Sequence, residues 1–173
     1  MFLGGLRTKS ILRKIKELVR KRMYKQSKNG ISSLGIINSS AIKITDYEVD
    51  EMAKLLGVSK DRVQLLSFEK KLAKEDQGDQ TLFTEKNIGW NGAIKSAYLK
   101  DFTMQPFDVL ISYYKDETSA PYLITAASKA HFKVGIDNGI VGLNDLIVYK
   151  ERMDFKTFQQ ELKKYLSILK IAS

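Results

Sequence analysis

Apolar side chains recur along the first 28 residues at the spacing of one helix face. They are Ile11, Leu12, Ile15, Leu18, Val19 and Met23. Lys and Arg occupy the other faces, so the pattern predicts a basic amphipathic helix over residues 1–28. Asn29-Gly30 and the small polar residues around it interrupt this period, which predicts a linker over residues 29–33.

The rest of the chain contains short apolar runs that are typical of strands buried on both faces of a sheet. Five strands are predicted, at residues 33–38, 62–68, 107–114, 131–136 and 145–150. Pro106 marks the start of the third strand, because proline lacks the N–H that a central strand needs.

Helix signals lie between these strands. Thr45 and Glu48 have the spacing of a capping box, and Gly57 is placed to end the helix that they begin. Ser119 and Asp154 predict the starts of two further helices. Repeated strand–helix–strand order predicts a single three-layer α/β domain over residues 34–173. It has a mostly parallel sheet of about five strands and flanking helices, and the basic helix is an N-terminal extension of it.

The segment 82–95 follows neither a helix nor a strand period. It is predicted to be an irregular hairpin in which Gly89 and Gly92 flank Trp90 and Asn91. A single tryptophan beside glycines is most often an anchor in the core or under a lid, and this interpretation is favoured. The alternative is a stacking platform for a base or a sugar.

The positive charge of the chain is concentrated in one stretch. The chain has 29 Lys and Arg and 20 Asp and Glu, a net charge of +9. Residues 7–28 contain ten of the 29 cations and one of the 20 acids, Glu17, so 19 of each remain elsewhere. A neutral body with a basic helix indicates an anionic partner, either RNA or a membrane surface.

Few residues suit catalysis. There is no cysteine, which excludes a disulfide-linked partner, and His131 is the only histidine. No glycine-rich phosphate loop follows a strand. The predicted carboxyl ends of the strands, where an α/β ligand site would form, offer Asn38, Ser67, Ser112 and Asp137. No catalytic residue, metal site or cofactor is predicted, and the sequence favours a protein that is not an enzyme.

Several motifs resemble a domain family of unknown function from Bacteroidota. They are "NIGWNGAIK", "FDVLISYYK", "SKAHFKVGI", "NDLIVYK" and "LKKYLSILKI", and the resemblance covers residues from about 33 to 171, without the basic helix. It implies an α/β body and no reaction. "FDVLISYY" and "ASKAHFKVGI" are also similar to the strand–helix–strand unit of heptosyltransferase-type sugar transferases. That likeness implies, as a second alternative, a ligand-binding or glycosyltransferase-like domain.

Three interpretations of the basic helix remain open. It packs on the body with its charges in water, it binds RNA, or it lies on an anionic membrane surface with Phe2, Leu3 and Leu6 inserted. The sequence favours a non-catalytic, ribosome-associated protein that binds ribosomal RNA, with the peripheral membrane protein as the alternative. The predicted RNA-binding residues are Arg7, Lys9, Arg13, Lys14, Lys16, Arg20, Lys21, Arg22, Tyr24, Lys25 and Lys28.

The expected location of the protein in the cell follows from the arrangement of apolar residues along the chain. The order of charged and apolar residues at the start of the chain is not that of a signal peptide, and no apolar run is long enough to span a membrane. A cytoplasmic protein is therefore expected.

Overall fold

The computed structural model describes residues 2–23, 30–115, 119–136, 139–149, 153–169 and 171. Within them, six parallel strands form one sheet in the order β3-β2-β1-β4-β5-β6. The strands are β1 (Leu34–Ser39), β2 (Val63–Phe68), β3 (Leu82–Phe83), β4 (Val109–Tyr113), β5 (Phe132–Gly135) and β6 (Leu146–Ile147). The strand order reverses between β1 and β4, as in doubly wound α/β folds.

Helices cover both faces of the sheet, which confirms the predicted three-layer α/β fold. They are α1 (Phe2–Lys21), α2 (Asp46–Leu56), α3 (Ala97–Met104), α4 (Ala120–Ala127) and α5 (Phe155–Ile168). One core layer contains side chains of α1, α3 and α4, and the other contains side chains of α2 and α5.

The predicted helix signals are confirmed. Thr45 and Glu48 form a capping box at the start of α2, and Gly57 ends that helix in the left-handed conformation at φ 68°. The side chain of Asp154 accepts a hydrogen bond from Thr157 N at the start of α5. Ser119 precedes α4, although its side chain makes no capping bond.

Two elements were not predicted. β3 adds a sixth strand from within the segment 82–95, and α3 follows that segment directly. The same segment contains an isolated antiparallel bridge between Ile88 and Ile94, so the expected irregular hairpin occupies only its second half.

Gly35, the second residue of β1, permits close packing against the core. A Cβ atom at this position would lie 2.8 Å from the Phe107 ring and 2.9 Å from Leu110 Cδ1. Distances this short do not occur between real side chains, so a larger residue would displace the ring from the core.

Helix α1 contributes to this core. Ile11 and Ile15 are fully buried in the same apolar layer as Leu110 and Leu123, and α1 packs against α4. The body of the protein therefore covers Ile11 and Ile15 and partly covers Leu18 and Val19, as in the first of the three interpretations, whereas Leu12 and Met23 of the apolar stripe stay exposed.

The chain between α1 and β1 is fixed to the amino edge of the sheet, from residue 32 onward. Asp108 Oδ2 accepts hydrogen bonds from the backbone N–H and the hydroxyl of both Ser32 and Ser33, at 2.7 to 3.1 Å. Asp108 Oδ1 lies 3.5 Å from His131 Nδ1. The predicted linker thus ends in a hydrogen-bonded segment, and its first residue, Asn29, lies outside the described residues.

Candidate nucleic-acid interface

The outer face of α1 carries four cations in one stripe. They lie at helix positions i, i+4, i+7 and i+11 and are Lys9, Arg13, Lys16 and Arg20. All four are exposed, and none forms an ion pair with a carboxylate of the described residues. We call this set the outer cation stripe. At about 100° per residue, the stripe is centred roughly 150° around the helix from Ile11 and Ile15, which face the core.

Arg7 holds the start of α1 against the body. Its guanidinium donates to the carbonyl oxygens of Glu85 at 2.6 Å and Ile88 at 3.1 Å, and it lies 2.9 Å from the Glu85 carboxylate. All three contacts are to the short segment that precedes Trp90.

Arg22 holds the other end of the helix. It forms a bidentate pair with the Asp145 carboxylate at 2.8 and 2.7 Å and donates to the His131 carbonyl oxygen at 3.1 Å. Asp145 also accepts a hydrogen bond from Lys133 N at 2.7 Å. Of the predicted RNA-binding residues, Arg7 and Arg22 therefore serve to attach the helix.

Lys14 and Lys21 share the single acid of the helix. Lys21 lies 2.6 Å from Glu17 and Lys14 lies 3.5 Å from it, and the hydrogen bond from Lys21 lowers the pKa of the Glu17 carboxyl. Their charge is partly neutralised. The remaining predicted residues, Tyr24, Lys25 and Lys28, lie outside the described residues.

Trp90 lies at the surface next to α1, with 55% of its area exposed. The turn that presents it is closed by hydrogen bonds from Gly89 N to Ala93 O at 2.7 Å and from Gly92 N to Gly89 O at 3.1 Å. The interpretation of Trp90 as a core anchor is therefore wrong. The glycines beside Trp90 form a tight turn at the surface, and they do not mark a buried anchor.

A cavity of about 610 Å³ opens at the amino edge of the sheet, beside the end of α1. Its lining includes Lys21, Arg22, Lys129 and His131, and no carboxylate of the described residues lines it. The sequence did not indicate this cavity, because its walls come from three separate segments. It extends the cationic surface from α1 towards the amino ends of β4 and β5.

Lys133 is buried beneath the end of α4. Its Nζ atom donates to the carbonyl oxygens of Thr125 at 2.6 Å and Ala126 at 3.5 Å. Burial, together with the positive charge of Arg22 and against the opposing effect of Asp145, lowers the pKa of Lys133 to about 7. This side chain therefore changes charge near neutral pH.

The polar residues at the strand ends are used for internal hydrogen bonds. With its amide nitrogen towards Ser67, Asn38 donates to the Ser67 hydroxyl and the Leu66 carbonyl and accepts from Ile44 N. The hydroxyl of Ser112 lies 3.1 Å from that of Thr125. The structure does not bring Asn38 and Ser112 together as a ligand site, and Asp137 lies outside the described residues.

The fold and this surface define a doubly wound α/β protein with a basic helix packed on one face of its sheet. The chain belongs to a family of unknown function (DUF6913), which matches residues 7–169. The match begins within α1 rather than near residue 33, so it includes most of the basic helix. No curated protein and no solved structure gives a significant match.

Proposed function

We propose that this protein is a non-catalytic RNA-binding protein whose outer cation stripe contacts the phosphates of ribosomal RNA in a cytoplasmic ribosomal particle. The observation that carries the proposal is the stripe itself. Its four exposed cations form no ion pair with a carboxylate of the described residues, whereas the chain outside residues 7–28 is neutral. Cations that stabilised the fold would be paired with carboxylates, as Arg7 and Arg22 are.

The dimensions of the stripe suit a nucleic-acid backbone. From Lys9 to Arg20 the helix rises about 16 Å, so the stripe spans several successive phosphates of one strand. Arg13 and Arg20 contribute planar guanidinium groups, which bind phosphate oxygens through two parallel hydrogen bonds. Because the helix is attached at both ends, its cations are held in place before the RNA binds.

The packing of α1 favours RNA over a membrane surface. An interfacial helix inserts its apolar face into the lipid, but here Ile11 and Ile15 are already buried in the protein core. Leu6 and Leu12, which are exposed, lie apart on the flanks of the stripe. None of the helices among the described residues is long and apolar enough to cross a bilayer.

The test compares two variants that lose the same charge. In the stripe variant, Lys9, Arg13, Lys16 and Arg20 are replaced by Gln. In the control variant, the exposed residues Lys70, Lys71, Lys74 and Lys163, none of which lies on α1, are replaced by Gln. Circular dichroism and thermal unfolding establish that both variants are folded.

RNA affinity is measured as a function of salt concentration. Four phosphate contacts contribute about −3 to the slope of log affinity against log salt, so we expect the stripe variant to lose this amount and the control variant to keep it. Equal slopes in the two variants would refute the proposal.

Lysate fractionation tests the partner. We expect the wild-type chain to co-sediment with ribosomal particles on a sucrose gradient and the stripe variant to remain at the top. A protein that floats with anionic vesicles after nuclease treatment, and does not sediment with particles, is a membrane-surface protein and the RNA proposal fails.

A further inference from the structure

Trp90 is the only tryptophan of the chain, and its exposed ring has no role in the core. Its turn is nevertheless well fixed. Besides the two backbone hydrogen bonds that close the turn, the Asn91 side chain accepts a hydrogen bond from Ala93 N at 3.1 Å. Gly92 has φ +76°, a conformation that other residues rarely adopt. A large apolar ring exposed on a well-fixed turn indicates a surface that binds something flat and apolar.

The turn lies directly against the basic helix. Arg7 donates to the Ile88 carbonyl on one side of Trp90. On the other side, a Cβ atom built on Gly92 would lie 3.1 Å from Lys14 Cγ. Lys86 and Lys95, on the same segment, are exposed. The turn that carries Trp90 therefore lies among four cations, of which Arg7 and Lys14 are also paired with Glu85 and Glu17. This setting indicates a partner that combines an aromatic ring with negative charge.

We infer that Trp90 stacks on an unpaired base of the RNA while the neighbouring cations hold its phosphates. The inference rests on the proposed function and narrows it to RNA with unpaired nucleotides. In a duplex both faces of each base are covered by its neighbours, so a protein ring has no free face to stack on. Stacking on an aromatic side chain beside a positively charged groove is a usual mode of binding single strands.

The single tryptophan makes the test direct, because all indole fluorescence comes from Trp90. The full-length protein is titrated with a short single-stranded oligouridylate and, separately, with an RNA duplex that has the same number of phosphates. We expect the single strand to quench the fluorescence of Trp90 to saturation and the duplex to leave it nearly unchanged. The affinity for each RNA is measured independently from the anisotropy of a labelled strand.

Three variants separate stacking from electrostatics. Trp90→Ala weakens binding of the single strand by between about 5-fold and 150-fold, the effect of losing one stacked base. The salt dependence of RNA binding by Trp90→Ala, and the affinity of this variant for the duplex, do not change. Trp90→Phe, which keeps an aromatic ring, retains most of the affinity. Tyr47→Ala removes an exposed aromatic ring from α2, on the other face of the sheet, and serves as the control.

The outcomes distinguish the two proposals. If the single strand binds without quenching Trp90, or if Trp90→Ala weakens single strand and duplex equally, the stacking inference is wrong and the stripe proposal stands. Both proposals are wrong if neither RNA binds the wild-type chain. They are also wrong if the salt dependence of binding is the same in the wild-type chain and in the stripe variant.

Discussion

Replacing Lys133 by Met should remove most of the pH dependence of stability that this buried amine causes. The Nζ atom of Lys133 lies under α4, where it donates to the carbonyl oxygens of Thr125 and Ala126. Its pKa is about 7 in the folded protein and 10.5 in the unfolded chain. Methionine has a similar length and no charge, so it occupies the same space without titrating.

The sign and size of the effect follow from the two pKa values. Between about pH 7 and 10.5 the unfolded chain holds the proton more tightly, so the free energy of unfolding rises with pH. The slope approaches about 1.4 kcal/mol per pH unit, and integration from pH 6 to pH 9 gives about 2.5 kcal/mol. The full destabilisation is present below pH 7 and disappears above pH 10.5.

Urea unfolding, followed by circular dichroism at several pH values and constant ionic strength, measures the effect. The quantity of interest is the difference in free energy of unfolding between the wild-type chain and Lys133→Met. Groups common to both chains cancel in it, and the hydrogen bonds lost in the variant add a constant. We expect this difference to increase by about 2.5 kcal/mol between pH 6 and pH 9 in favour of the wild-type chain.

A difference that stays constant over this range would refute the reasoning. It would mean that Lys133 keeps its proton in the folded state, with the two carbonyl oxygens and Asp145 compensating for its burial. A difference that decreases with pH would mean that folding raises the pKa of Lys133 instead of lowering it.

Three further substitutions test the packing, each by urea unfolding. Ile15→Ala should destabilise the protein by about 2–5 kcal/mol, because Ile15 is fully buried. Leu12→Ala, one turn away and partly exposed, should cost much less. Equal effects of the two substitutions would place α1 outside the core. Asp108→Ala should cost at least about 3 kcal/mol because four donors lose a charged acceptor, and a loss under about 1 kcal/mol would contradict those bonds. Gly35→Ala should cost about 1–3 kcal/mol through collision with Phe107, and unchanged stability would show that the ring can move.

The central part of the fold could be predicted because its signals are local. β1 and β4 are short, largely apolar runs, and the capping box of Thr45 and Glu48 depends on residues three apart. β3 was missed because Leu82–Phe83 is too short to show a period. α3 has eight residues, of which Leu99, Phe102 and Thr103 are buried, so its apolar face is also too short to be distinctive.

The candidate site was predictable in its charge but not in its geometry. The sequence identifies the cations of the basic helix, but which of them are free depends on distant carboxylates. Arg7 pairs with Glu85 and Arg22 with Asp145, and no local pattern indicates these partners. The exposure of Trp90 likewise depends on how its turn is placed against α1.

The attachment of α1 has a consequence for the order in which the chain acquires its structure. The partners of this first helix are made late, since Arg22 and Asp145 are 123 positions apart and Arg7 and Glu85 are 78 apart. The isoleucines of α1 pack against α4, so during synthesis they stay uncovered until that helix has been made. We expect the N-terminal helix to dock late in co-translational folding. Nascent chains that stop before about residue 145 should then bind apolar dyes and chaperones that the finished protein does not.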